Sequence, residues 1–208
     1  MNKIYNLFIL ISIVIIGCKS KDINDNKISQ SINSLDMTIF SKEGKKLISI
    51  VSPYSNYDKE INTFNLNETT INLFKNSKLE YIINADSSKL SNKKNVLELN
   101  GNVIVKSTSA EENELYANSF IWKFQNSKYL LIGNVKFQNN TIILSSDKAI
   151  LNKTNNIIEF FNPVKYKIQD SANKNIFEIK SQNAYYNINT KSVSFTSNED
   201  RVRSKIYF

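Results

Sequence analysis

The sequence predicts an all-β protein made of repeated strand–turn–strand units of about 32 residues. Three observations favour this fold class. Apolar residues recur at every second position over several stretches, which is the period of a half-buried β-strand. A pattern of small, polar and apolar residues returns at a regular interval from residue 85 onwards. After the N-terminal apolar segment, no long stretch has the apolar period of a helix.

The second half of each unit is the clearest strand. Units start at Ala85, Ala117 and Ser146, which are 32 and 29 residues apart, and a partial fourth unit starts 35 residues later at Ser181. In the first three units, alternate positions hold four apolar residues around a central Gly or Asn. These positions are Leu97, Leu99, Gly101, Val103 and Val105; Tyr129, Leu131, Gly133, Val135 and Phe137; Ile158, Phe160, Asn162, Val164 and Tyr166; and, in the fourth unit, only Val193 and Phe195.

The first half of each unit carries a small residue followed by an acid or amide, as in Ala85-Asp86 and Ala117-Asn118. Apolar residues lie two positions before the small residue and five positions after it, so the apolar residues change from one set of alternate positions to the other. Because a shift of one residue moves a side chain to the opposite face of a strand, we predict a β-bulge or sharp bend here. Polar segments at 91–95, 125–128 and 152–156 predict the turns within the units.

The residues before the repeats alternate more weakly. Leu35–Phe40 and Lys45–Ser52 are predicted strands, with Gly44 in the turn between them. Pro53–Tyr57 is predicted to break the strand pattern because proline cannot donate to a β-ladder. Phe64–Phe74 resumes it, and the chain keeps strand character to its last residues.

The composition excludes several kinds of chemistry. The chain has no His and one Cys, Cys18, so metal sites built on His or Cys and Ser-His or Cys-His catalytic pairs are excluded. No enzymatic activity, metal or cofactor is predicted. The net charge of +8 favours either simple solubility or an anionic partner such as a phosphorylated lipid. Nucleic acid is not expected, because the basic residues are scattered and no aromatic stacking surface is evident.

The N-terminus predicts an exported, lipid-anchored protein. Lys3 precedes the apolar run Leu7–Ile16, which is too short to span a bilayer unaided. The residues from Ile15 to Cys18 resemble a bacterial lipobox, which implies cleavage before Cys18 and acylation of its thiol. The expected organisation is a signal peptide at 1–17, an acylated Cys and flexible tether at 18–34, and a β domain at 35–208. A plain signal peptide or short anchor with a buried Cys18 is the alternative.

The repeated motif resembles that of the OstA-like lipopolysaccharide-transport superfamily. The resemblance is carried by Ala85-Asp86 with LELNGNV, Ala117-Asn118 with LLIGNV, and Ser146-Asp147 with EFFNPV. With its short domain and N-terminal anchor, the chain is most similar to the LptC family of periplasmic export proteins, over about residues 35–208. The lipobox differs from the uncleaved transmembrane helix of the best-known members.

This resemblance implies an open, V-shaped antiparallel β-jellyroll whose apolar groove takes lipid acyl chains. It implies lipopolysaccharide as the cargo, inner-membrane ABC transporter permeases on one side and a periplasmic LptA-like bridge protein, joined by edge-strand pairing, on the other. The protein would lie on the periplasmic face of a membrane, expected to be the inner one. The expected partner edge is Val202, Lys205, Ile206 and Phe208. The expected groove lining is Leu97, Leu99, Val103, Val105, Trp122, Leu131, Val135, Phe137, Leu151, Ile158, Phe160, Val164, Tyr166, Val193 and Phe195.

Alternating apolar residues leave other interpretations open. A groove and a closed sandwich core have the same pattern in one dimension, so the predicted lining also fits a core without a ligand. A structural or adhesive β-repeat lipoprotein with no lipid cargo is one alternative, and an LptA-like bridge protein is another. The Cys18 anchor argues against the soluble bridge.

Overall fold

The computed structural model describes residues 29–108, 113–169, 175–197 and 201–206, and within these ranges the chain forms twelve β-strands and no helix. Accordingly, this part of the chain contains no helix with the length and apolarity needed to cross a membrane. The strands are β1 (Ser29–Phe40), β2 (Lys46–Asp58), β3 (Thr63–Lys75), β4 (Lys78–Ser91), β5 (Val96–Ser107), β6 (Glu114–Lys123), β7 (Lys128–Gln138), β8 (Ile142–Asn152), β9 (Ile157–Gln169), β10 (Asn175–Asn187), β11 (Val193–Thr196) and β12 (Arg203–Ile206).

The strands form one antiparallel sheet in the order of the sequence from β1 to β11. The last two strands share the same neighbour. β11 pairs with residues 183–186 of β10, and β12 pairs with residues 177–180 of the same strand. The sheet therefore ends in two short strands placed one after the other along β10. The all-β fold class and the strand–turn–strand units are confirmed.

The strands before the repeats are longer than predicted. β1 begins at Ser29, so residues 29–34 of the expected tether belong to a strand. The predicted break at Pro53–Tyr57 is wrong, because β2 continues to Asp58. Proline is accommodated where the β2–β3 ladder is interrupted, between the pairs Val51–Thr70 and Tyr54–Asn67. The buried Ser52 hydroxyl makes the local bonds instead, at 2.8 Å from the carbonyl of Tyr54 and 2.7 Å from that of Asn67.

A line of register breaks crosses the repeats at the predicted positions. In the β4–β5 pair the register shifts between Asn84 and Ser87, and in the β5–β6 pair it shifts between Asn100 and Val103. The same shift recurs in each following pair as far as β10. The breaks divide each long strand into two segments and the sheet into two arms. Arm I contains the described residues of 35–51, 69–85, 103–117, 135–146, 164–181 and 203–206, and arm II those of 29–33, 54–67, 87–100, 119–132, 148–161 and 183–196.

The repeated motif explains the bend between the arms. Gly101 and Asn102 have φ of +76° and +43°, a left-handed conformation that glycine and asparagine tolerate best. A Cβ at position 101 would lie 2.9 Å from the Cβ of Asp86 and would also overlap its carboxylate. The Asn102 side-chain amide donates to Asp86 Oδ2 over 2.9 Å. The Gly-Asn pair of one strand and the acid of its neighbour therefore form the bend together.

In the two units that begin with serine, the hydroxyl of this small residue stabilises the bulge by a hydrogen bond to the backbone. The Ser146 hydroxyl donates to the carbonyl of Lys148 over 2.8 Å, and the Ser181 hydroxyl donates to that of Asn183 over 3.0 Å. Each bond satisfies a carbonyl just beyond the bulge. The predicted bulge is thus confirmed. Its inner side accepts only a small side chain, which is a hydroxymethyl group in serine or a methyl group in alanine.

The apolar core lies between the inner faces of the two arms. Phe137 of arm I packs on Tyr186 of arm II with ring centroids 4.6 Å apart. Tyr166 of arm I meets Phe195 of arm II at 5.3 Å. The arms therefore pack face to face, and strands distant in the sheet become neighbours across the interior. The fold is an open antiparallel β-jellyroll.

Candidate lipid-binding cavity

A cavity of about 640 Å³ lies between the arms at the outer ends of their strands. Its apolar wall combines Val105, Leu115 and Phe137 of arm I with Ile158 and Tyr186 of arm II. These five side chains are buried in the core cluster, so the cavity continues the inner face of the jellyroll. Its volume falls in the range of small-molecule sites.

The mouth of the cavity is polar and open to solvent. Lys75 and Lys78, at the β3–β4 turn, and Thr108, at the end of β5, are exposed. Asn189, which follows β10, is exposed on the opposite side. A ligand with an apolar body and a polar or anionic head matches this arrangement.

The structure places the predicted groove residues in two groups. Val105, Phe137, Leu151 and Ile158 line the cavity. The remaining predicted side chains do not line it. They lie in the packed core or at its margin: Leu97, Leu99, Val103, Leu131, Val135, Phe160, Val164 and Tyr166 are buried, whereas Trp122, Val193 and Phe195 are partly buried.

Several cavity residues were missed by the sequence prediction. Leu115 and Tyr186 occupy the two apolar positions of the first half of the unit, which the predicted lining left out except for Trp122 and Leu151. Leu79 and Tyr81 lie at the start of β4, just before the first unit begins at Ala85 of the same strand. Their alternation with Ile83 was the available signal. Which of these inward residues surround open space depends on how the arms cross.

Phe120, Trp122, Phe124 and Tyr129 form an aromatic cluster in and next to the arm II segments of β6 and β7. Trp122 contacts Phe124 edge-on at 4.8 Å and Tyr129 at 5.2 Å, and Phe120 stacks on Tyr129 at 5.4 Å. Burial, with smaller contributions from Glu80 and Tyr81 of arm I, raises the pKa of Tyr129 to about 12. The raised pKa shows that burial disfavours the charged phenolate in this apolar surrounding.

Glu114 is a fixed anion at the edge of the cavity. Its carboxylate receives the Lys106 ammonium at 2.7 Å, the Gln138 side-chain amide at 2.9 Å and the Tyr116 hydroxyl. These bonds, that of Lys106 first, lower the pKa of Glu114 to about 2. The same hydrogen bond to the carboxylate raises the pKa of Tyr116 to about 12. The group holds the β5, β6 and β7 ends together, and its charges are mutually compensated.

The edges of the sheet also bear on function. Val202 and Ile206 are exposed, with relative accessibilities of 44% and 60%, and Lys205 is exposed beside them. Within the described residues, β1 and β12 each pair with one neighbouring strand. Phe208 and Cys18 lie outside the described residues. No cluster of three or more His, Cys, Asp or Glu suited to a metal occurs in the part of the chain that the structure describes.

The fold and the cavity define the class of the protein, a repeated β-jellyroll with an apolar interior that opens at one end. The chain belongs to the LptC-related family of lipopolysaccharide-assembly proteins, whose model matches residues 5–128, more than half of the 208 residues. The model of OstA-like proteins matches residues 117–205. The family acts in lipopolysaccharide transport in the cell envelope and is not known for catalysis.

Comparison with solved structures gives a match to LptH of Pseudomonas aeruginosa, described as the LptA-homologous periplasmic component of the lipopolysaccharide transport device. The identity is 16% and the TM-score 0.49, over 61% of this chain and 94% of the LptH chain. The search of curated proteins gives no match.

Proposed function

We propose that the protein binds the acyl chains of lipopolysaccharide between its arms and passes the glycolipid from an inner-membrane ABC transporter to an LptA-like periplasmic bridge. The cavity of about 640 Å³, apolar inside and polar at its mouth, is the observation that carries this proposal. Acylated Cys18 would hold the domain on the periplasmic face of the inner membrane. Family membership supports lipopolysaccharide as the cargo, and the cavity supports the space between the arms as its binding site.

The energetics favour transfer between grooves over release. Each buried methylene contributes about 0.8 kcal/mol, so a twelve-carbon chain gains on the order of 10 kcal/mol relative to water. Such a chain does not leave into the aqueous phase at a useful rate. It moves to a similar groove with little change in free energy. Directionality then comes from the transporter.

The lipid would enter where the arms are already apart. Near the bend, Leu99, Leu131 and Phe160 are fully buried, so a ligand has no access to them from solvent. At the strand ends, Phe137 and Ile158 face the cavity. We therefore assign the acyl chains to the open end, with Lys75 and Lys78 near the phosphates of the headgroup. The other predicted groove residues would contact lipid only if the arms separated further.

The partners would attach at the two ends of the sheet. β1 and the pair β11–β12 are its terminal strands, and addition of a partner strand at an open edge is a recurring mode of recognition. A similar jellyroll joined there would continue the apolar interior into the next protein. The exposed Ile206 and Lys205 would then lie at the junction.

Photo-crosslinking in cells tests the proposed cargo. A photoreactive phenylalanine analogue replacing Phe137 should give adducts with lipopolysaccharide, because this ring faces the cavity. The same analogue at Phe161, a half-buried outward position on arm II, is the control and should give none. Equal adducts at both positions would indicate nonspecific labelling. Absence of lipid adducts at Phe137, in a variant that still folds, would favour a structural β-repeat lipoprotein instead.

A further inference from the structure

The outer face of arm I carries a row of basic side chains across its C-terminal strands. In the row nearest the bend, Lys136 of β7 pairs with Ser145 of β8, which pairs with Lys165 of β9. Lys165 pairs with Lys180 of β10, which pairs with Arg203 of β12. We call Lys136, Lys165, Lys180 and Arg203 the cation row. It contains no carboxylate.

This arrangement is unfavourable in isolation. Neighbouring strands lie about 4.8 Å apart, and like charges directly opposite each other destabilise a sheet. Of the described carboxylates, that of Glu178 lies 3.6 Å from the Lys180 ammonium and 3.8 Å from that of Lys167. No described carboxylate forms an ion pair with Lys165 or Arg203. Among the described residues, the carboxylates that form ion pairs with the row therefore compensate only part of its positive charge.

The outer face of arm II shows that the row is not a general feature of the surface. Its row nearest the bend crosses the same β7 to β10 strands. The residues in this row are Ile132, Lys148, Phe161 and Asn183, followed by Thr196 of β11. One basic residue, Lys148, stands there, and its ammonium lies over the Phe161 ring at 5.4 Å. In the cation row, the Lys136 ammonium likewise lies over the Tyr116 ring, at 4.6 Å. Solubility alone does not require the cations to gather on one arm.

We propose that the cation row binds the phosphates of an anionic phospholipid bilayer, so that the outer face of arm I lies against the membrane surface. The row spans five adjacent strands, roughly 20 Å from β7 to β12 at the usual strand spacing. A line of this length on the outside of a sheet, away from the cavity, fits many headgroups side by side better than one small ligand. Basic residues at an anionic bilayer each contribute to binding independently of lipid stereochemistry. This inference does not require lipid transport through the cavity.

Lysine acetylation of the full chain in the presence of vesicles tests the proposal. Vesicles of phosphatidylcholine with phosphatidylglycerol should slow the acetylation of Lys165 and Lys180 at least about five-fold relative to pure phosphatidylcholine, the factor expected for one basic residue at an anionic surface. Lys89 and Lys123, exposed on arm II, are the internal controls and should react equally with both kinds of vesicle.

A charge-neutralised variant separates the effect of the cation row on membrane binding from the effect of the total charge of the protein. The triple variant Lys165→Gln, Lys180→Gln, Arg203→Gln should remove the protection that anionic vesicles give to Lys136, the remaining lysine of the row. The matched variant Lys89→Gln, Lys123→Gln, Lys128→Gln loses the same charge on arm II and should keep it. Circular dichroism of both variants verifies folding.

Three results would overturn the proposal. They are equal protection on both arms, protection that is the same in neutral vesicles, and protection of the row only when an envelope protein is added. The last result would identify the face as a protein-binding surface.

Discussion

The interior of the jellyroll differs between the bend and the open end, although one sequence pattern produces both. Near the bend, Leu99, Leu131 and Phe160 are completely buried between the arms. At the strand ends, residues of the same alternation, such as Phe137 and Ile158, border a cavity. The comparison shows that alternation determines which face is inward, whereas the crossing of the arms determines whether inward side chains meet protein or space.

Alanine substitutions at Leu131 and Leu151 should differ in how much they lower the free energy of unfolding. Leu131→Ala removes a fully buried side chain and should lower the free energy of unfolding by about 2–5 kcal/mol. Leu151 is partly buried beside the cavity, so Leu151→Ala should cost only about 1 kcal/mol. Urea denaturation measures both. A larger cost at Leu151 would contradict the division of the interior.

Two glycines with the same backbone conformation allow the bend to be compared with an ordinary turn. Gly101 and Gly44 have φ of +76° and +77°, but a Cβ meets the Asp86 side chain at Gly101 and nothing within 4 Å at Gly44. Gly101→Ala should therefore lower the free energy of unfolding by about 2–3 kcal/mol and Gly44→Ala by about 1 kcal/mol, the cost of the backbone conformation alone. Thermal unfolding followed by circular dichroism compares them. Equal costs would show that the Asp86 contact is unimportant for the bend.

The fold was largely predictable because its determinants are local. In the first two units, the bend is formed by a Gly-Asn pair and by a pair of a small residue and an acid or amide on the neighbouring strand. The two residues of each pair are adjacent in the sequence, and the structure places the two pairs together. Pro53 was misinterpreted because a gap in the ladder that accommodates proline depends on the neighbouring strand. The cavity was only partly predictable, since Phe137 meets Tyr186 through the crossing of β7 and β10. No local pattern encodes that approach.

The smallest expected effect concerns the ion group at the cavity edge. The pKa of Glu114 is lowered from 4.5 to about 2 in the folded state, so its contribution to stability is present above pH 4.5 and is lost as the pH falls towards 2. Glu114→Gln should remove this part of the acid sensitivity, by less than about 1 kcal/mol because the group is screened by solvent. Urea denaturation at several pH values compares the proteins. An unchanged pH dependence in the variant would contradict the assignment.

Hydrogen–deuterium exchange of the full chain with and without lipopolysaccharide tests the division of the interior most directly. If lipid occupies the open end, exchange should slow at residues 79–81, 113–115 and 186–189, which surround the cavity. Exchange at 97–99 and 130–132, in the packed region, should stay slow and unchanged. Slowing confined to the packed region, or no change in any strand, would contradict the account.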